Sequence, residues 1–189
     1  MECENVLTID NREDFRSWLS QNCETAKECY VEARRGRPDG NGLWYLDAVE
    51  EALCFGWIDS TVRVIDGRRM QRFGPRRKDG NWTELNKERV RRLEKLGFMT
   101  DAGRRVLPPL GPRSFSFPPE VVSELKRARV WSKFRELPPL YQRVRASNLE
   151  FYRTRDSEAY ARMLTHTIEA TGAGETFGEW NDYGRLTDY

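Results

Sequence analysis

The sequence predicts an α+β fold: a small antiparallel sheet with a hairpin packed by helices, followed by a helical C-terminal region. Three observations carry this. The alternating run WIDSTVRVI is followed by Asp66-Gly67 and then RRMQRF, the pattern of two strands joined by a two-residue turn. Apolar residues recur at helical spacing on both sides of that hairpin. Residues 107–119 hold five of the nine prolines, and beyond them only helical periodicity remains.

The elements follow in order. Phe15, Trp18 and Leu19 share one face of a first helix that begins near residue 11, with Asp10 as the expected cap and Glu13 three residues on. Residues 28–34 read as a short strand leading into a glycine-rich loop at 35–42. Leu46, Val49, Ala52 and Leu53 define a second helix over 46–55, stopped at Gly56. In the hairpin, Ile58, Val62 and Val64 alternate with Asp59, Thr61 and Arg63. Pairing across Asp66-Gly67 sets Ile65 opposite Arg68, Arg63 opposite Met70 and Thr61 opposite Arg72. That register assigns Ile58, Val62 and Phe73 to the core face and puts Arg72 on the Asp59 face.

Asn81, with Glu84 three later, is the expected start of a helix striped by Trp82, Leu85, Val90, Leu93 and Leu96. A short helix at 100–105 precedes the prolines. Further helices are expected at 119–128, 131–137, 139–151 and 156–171, and the tail aromatics Phe177, Trp180, Tyr183 and Tyr189 call for docking on the body. The organisation read from this is an N-terminal α+β region at 1–107, a proline-rich connector at 108–118 and a helical region at 119–189.

Composition narrows the function. With 38% hydrophobic and 33% charged residues the 189-residue chain is globular rather than disordered. No run approaches a membrane span, and the start MECENVLTID lacks the blocks of a secretory signal, so a cytoplasmic location is expected. Cys3, Cys23, Cys29 and Cys54 form no C-x-x-C pair and His166 is the lone histidine, so neither a metal nor a cofactor is expected. The net charge of +2 conceals a pattern. Residues 1–62 hold 6 basic and 13 acidic residues, 63–95 hold 12 and 5, and 96–189 hold 14 and 12. The positive block is mostly arginine, the side chain best matched to carboxylate and phosphate. A solvated helix face, or pairing with the acidic block inside the fold, accounts for the same charges. A duplex binder would be basic throughout, so nucleic acid is the lesser partner class.

Asp59 and Arg72 are expected on one strand face, and Trp82 and Asn86, four apart, on one helix face, with Arg76 and Arg77 between the two elements. Converging, they would line a pocket able to hold an anion, or to let Asp59 move a proton beside an arginine clamp. The structural alternative is a fold-pinning Asp59–Arg72 ion pair with Trp82 as core filler.

The run from Glu50 through Trp57, Ile58, Asp59 and Ser60 is distinctive. With Arg72-Phe73-x-Pro75-Arg76, Asn81-Trp82-x-x-x-Asn86 and Gly97-x-Met99-Thr100-x-Ala102-Gly103, it resembles the YdeI/OmpD-associated (bacteriocin-protection) family. Ser17-Trp18-Leu19 and the tail from Phe177 to Leu186 fit too, while Gly80 and Thr83 stand where many members have serines. The resemblance implies association with an outer-membrane porin and protection against bacteriocins or cationic peptides, but no common reaction. Its matching positions, Trp57, Asp59, Arg72, Arg76, Trp82 and Asn86, are the candidate ligand-binding set.

Three functions follow as expectations. The first is a non-enzymatic stress or envelope-protection protein that binds an anionic small molecule or a protein partner through the hairpin–helix surface. The second is an enzyme with Asp59 as acid/base and Arg72 and Arg76 as anion clamp. The third is a nucleic-acid module using residues 63–95.

Overall fold

The computed structural model describes residues 4–77 and 80–189. Cys3, and Lys78 and Asp79 of the basic turn, lie outside them. The chain divides into two compact units: one of residues up to Asn81 together with Arg89–Pro108, the other of Trp82–Glu88 and Pro109–Tyr189.

The first unit is built on a three-stranded antiparallel sheet. Strands β1 (Cys29–Glu32), β2 (Trp57–Ile65) and β3 (Arg68–Pro75) lie in the order β1-β3-β2. Helix α1 (Arg12–Asn22) and helix α2 (Tyr45–Cys54) pack with it, and Phe15 of α1 meets Phe73 of β3 at 5.3 Å between ring centres. Trp57 stands edge-on to Trp18 at 5.8 Å, and its indole N–H donates to the Cys23 carbonyl at 3.0 Å. The helical cap of α1 is Asn11, whose side chain accepts from the Asp14 N–H at 2.8 Å. Asp10, the expected cap, is one residue too early, because helical backbone begins only at Arg12.

Helix α2 is buried over almost its whole surface. Its apolar face is the one read from sequence, but Asp47, Glu50 and Glu51 on the remaining face are buried as well. At i, i+3 and i+4 they form one acidic stripe. Arg12 donates from Nε to Glu51 at 2.5 Å and from Nη1 to Glu50 at 3.0 Å and Asp47 at 3.2 Å. Arg16 reaches Glu51 at 2.6 Å, and Arg92 reaches Glu50 at 2.7 Å. Burial works against the charge of Arg12, yet Glu51 and Glu50 hold its pKa above the ordinary value. The same environment pushes the Cys54 thiol up to about 12, by burial and the neighbouring Glu51.

Past α2 the chain turns at Gly56, whose φ of +76° is open to glycine at little cost. Helix α4 (Asp101–Arg104), capped by Thr100, then packs so close that a Cβ on Gly103 would meet the Cys54 carbonyl at 2.3 Å. Only glycine fits there.

The hairpin departs from its expected register at one point. Ile65↔Arg68, Arg63↔Met70 and Val62↔Gln71 pair as the turn dictates, but the next pair is Asp59↔Phe73. Ser60 and Thr61 thus oppose the single residue Arg72, a β-bulge. The expected Thr61–Arg72 pair is absent, and Asp59 moves to the face opposite Arg72. The expected core face also fails toward the tip, where Val62 and Val64 are 40% and 71% exposed. The reason is coverage: β1 pairs with β3 only from Met70 to Phe73, so the hairpin tip extends past its neighbouring strand.

Helix α3 (Glu84–Lys95) begins three residues later than the Asn81 signal. Thr83 supplies the cap instead, its hydroxyl accepting from the Asn86 N–H at 3.2 Å. Trp82–Glu88 belongs to the second unit, whose other helices are α5 (Pro119–Arg127), α6 (Trp131–Glu136), α7 (Pro139–Arg153) and α8 (Ser157–Ala173). Its core gathers Val121, Leu125, Phe134, Tyr141 and Leu149, with Phe115 and Phe117 of the proline-rich stretch and Phe177 and Trp180 of the tail packed against them. Arg145, itself buried, stacks on the Phe177 ring at 3.7 Å and donates to the Phe177 carbonyl at 2.6 Å, which fixes the start of the tail. The tail ends on Tyr189, whose hydroxyl donates to Glu88 at 2.9 Å. His166 is exposed, with its ring against Phe177. Among the described residues no helix is long and apolar enough to cross a membrane.

Replacing Arg12 by Met would leave buried carboxylates without their main partner, at a cost of about 3–5 kcal/mol. The exposed Arg105–Glu24 pair gives the contrast: Arg105→Ala is expected to cost less than about 1 kcal/mol. Urea denaturation of both variants checks this, and equal losses would contradict it.

Candidate functional site

The bulge decides where the candidate residues point. On its side of the sheet Asp59 accepts a hydrogen bond from the Tyr45 hydroxyl at 2.6 Å. Burial, together with the Asp59 charge, pushes the Tyr45 phenol up to about 12. Arg72 faces the other way, toward β1, and donates from Nε to Glu28 at 2.6 Å and from Nη1 to the Ser60 hydroxyl at 3.0 Å. The expected Asp59–Arg72 ion pair is therefore replaced by two separate partnerships, Asp59 with Tyr45 and Arg72 with Glu28. That hydrogen bond from Arg72 holds the Glu28 carboxyl below its ordinary pKa.

At the β2 start and the β3 end these groups border an open pocket of about 390 Å³. Lys27, Arg72, Arg76 and Arg77 bring four basic side chains to its lining, against the single carboxylate of Asp59. Ser60 adds a hydroxyl, and Gly80 and Asn81 close the wall. Arg76 is the most buried of the cations, 8% exposed, with its Nη1 donating to the Asn81 carbonyl at 3.1 Å. Burial pushes its pKa down to about 10, with the Asp59 charge opposing the shift. The guanidinium is still protonated at neutral pH, and any anion placed beside it strengthens that state.

The six residues singled out from sequence are thus distributed. Asp59, Arg72 and Arg76 line this pocket. Trp57 is a core side chain that lines an adjoining pocket of about 290 Å³, also bordered by Arg76. Trp82 and Asn86 belong to the second unit and are not among the lining residues. Sequence reasoning missed Lys27, Ser60 and the two partners Tyr45 and Glu28. Glu28, just before β1, and Tyr30 within it are two residues apart beside Arg72, a signal that needs the β1–β3 pairing before it can be read.

The Glu28–Arg72 pair has a consequence for acid stability. A carboxyl with a depressed folded pKa stabilises the fold above its unfolded value near 4.5, and that stability is lost as pH falls through the folded pKa. The Glu28→Gln variant should therefore lose less stability than the parent chain between about pH 5 and pH 3 in urea titrations. Identical pH profiles would contradict the pairing.

A family model described as Domain of unknown function (DUF8412) matches residues 7–106. Comparison with curated proteins and with solved structures gives no match. The matched segment contains the whole sheet, the acidic stripe of α2 with its arginines, and every residue that lines the pocket. It spans more than half of the chain, which therefore belongs to the DUF8412 family.

Proposed function

We propose that the first unit is a binding module for a small oxyanion, held in the pocket at the β2 start and β3 end. The observation that carries this is the imbalance of the lining: among the described residues four basic side chains face one carboxylate, and that carboxylate is engaged by Tyr45. Guanidinium groups suit this task because their planar donors match two oxygens of a phosphate or carboxylate at once. Arg72 is oriented for it by Glu28, which takes its Nε and leaves the Nη edge toward Ser60.

The reading is non-enzymatic. Asp59 is anchored to a phenol on a rigid helix, an arrangement that supports positioning of the pocket wall rather than proton traffic. A stress or envelope-protection role, as implied by the resemblance to YdeI/OmpD-associated proteins, would act through this binding step.

Thermal unfolding in inorganic phosphate at constant ionic strength tests the reading. A ligand at one hundred times its Kd adds about 2.7 kcal/mol of stability, so the parent chain should melt progressively higher with phosphate. The paired variant Lys27→Gln with Arg72→Gln should show a smaller rise, by the part this pocket contributes. An equal rise in the variant would overturn the proposal. A phosphate response absent from the parent chain but replaced by steeply salt-dependent oligonucleotide binding would transfer the block 63–95 to nucleic acid instead.

A further inference from the structure

A second set of cations stands on the opposite face of the hairpin, around a pocket of about 220 Å³ bordered by Arg34, Arg35, Arg69, Gln71, Val62 and Glu32. The side chain that organises it is Gln71. Buried at 4% exposure, it donates from Nε2 to the carbonyls of Ser60, Thr61 and Arg72 at 3.2, 3.3 and 3.3 Å. Those three acceptors, presented together by the bulge, settle which end of the amide is the NH₂. Its oxygen is therefore forced outward, where Arg35 Nη2 donates to it at 2.8 Å.

Arg35 is held on its other side as well. Its guanidinium lies 3.7 Å from the centre of the Tyr45 ring, and that ring is fixed through its hydroxyl on Asp59. Both partners of Arg35 are neutral. They lock the plane of the guanidinium without neutralising it, and among the described residues it has no carboxylate partner. Arg34 is likewise held by a neutral group, the Asn41 carbonyl, at 3.3 Å. Arg69, two residues before Gln71 on the same strand face, makes no hydrogen bond or ion pair among the described residues. The one lining carboxylate, Glu32, is exposed and lies 3.8 Å from Arg68.

We infer that Arg34, Arg35 and Arg69 form a second oxyanion site that takes a phosphoryl group. Three forks around a small pocket suit the three free oxygens of a phosphoryl group better than the two of a carboxylate. The backbone bulge, through Gln71, orients Arg35 before the ligand arrives. This inference rests on a different set of cations from those of the Lys27–Arg76 pocket and holds whether or not that pocket binds.

The test is a titration of the ¹⁵N-labelled full-length chain with inorganic phosphate at fixed pH and ionic strength, with acetate in parallel. Saturable shifts are expected at Arg34, Arg35 and Arg69. In Arg69→Gln the affinity read from those shifts should fall about tenfold, the worth of one charge-assisted contact. Arg69 has no structural partner to lose, so a folding defect cannot mimic that result. Lys27→Gln should leave these shifts unchanged while altering any at Ser60, Gly74 and Gly80, which separates this site from the first. No saturable shift at the three arginines, equal affinity for acetate, or an unaltered titration in Arg69→Gln would each overturn the inference.

Discussion

The first unit depends on burying a highly charged helix. Helix α2 carries Asp47, Glu50 and Glu51 on the stripe left over by its apolar face, and all three are buried. Buried carboxylates of this kind persist only where cations follow them inside. Arg12 and Arg16 come from α1, and Arg92 comes from the strongly basic block. These contacts set the positions of α1, α2 and the later half of α3 in a way that apolar packing alone, which is not directional, would leave loose. The α1 and α2 placement in turn brings Phe15 onto Phe73 and Tyr45 within reach of Asp59.

This arrangement explains the charge segregation along the chain. Three carboxylates of the acidic N-terminal block, Asp47, Glu50 and Glu51, are turned inward and satisfied by arginines that include two of the block's own. Glu50–Arg92, Glu28–Arg72 and the exposed Glu32–Arg68 join it to the basic block. The hairpin thus keeps a cationic surface although the whole chain is nearly neutral. The bulge at Ser60 and Thr61 then sorts that surface into two sides. It turns Asp59 toward Tyr45, leaves Arg72 with Glu28 and Ser60, and offers three carbonyls that orient Gln71.

Much of the fold was legible from local rules. The Asp66-Gly67 turn, the apolar face of α2 and the stop at Gly56 are encoded by residues a few positions apart, and the structure places them accordingly. What was illegible was non-local. Nothing in the alternation of WIDSTVRVI marks the bulge, because Ser60 and Thr61 are ordinary strand residues, and a single inserted residue inverts the face of everything before it. The exposure of Val62 and Val64 is set by the length of β1, which is distant in sequence. For the same reason Arg72 and Arg76 could be picked out as anion-binding side chains, whereas Lys27, Glu28 and Tyr45 could not, since they arrive from other elements. The acidic stripe of α2 reads as a solvent face until its arginine partners are placed.

The central claim is that the hairpin, packed beside an internally neutralised helix, takes an oxyanion in the pocket at the β2 start and β3 end. Co-crystallisation with molybdate, a tetrahedral oxyanion with a strong anomalous signal, tests this most directly. The account predicts an anomalous peak within hydrogen-bond reach of Arg72 and Arg76. Crystals grown at saturating molybdate that show no peak beside those two guanidinium groups would contradict it.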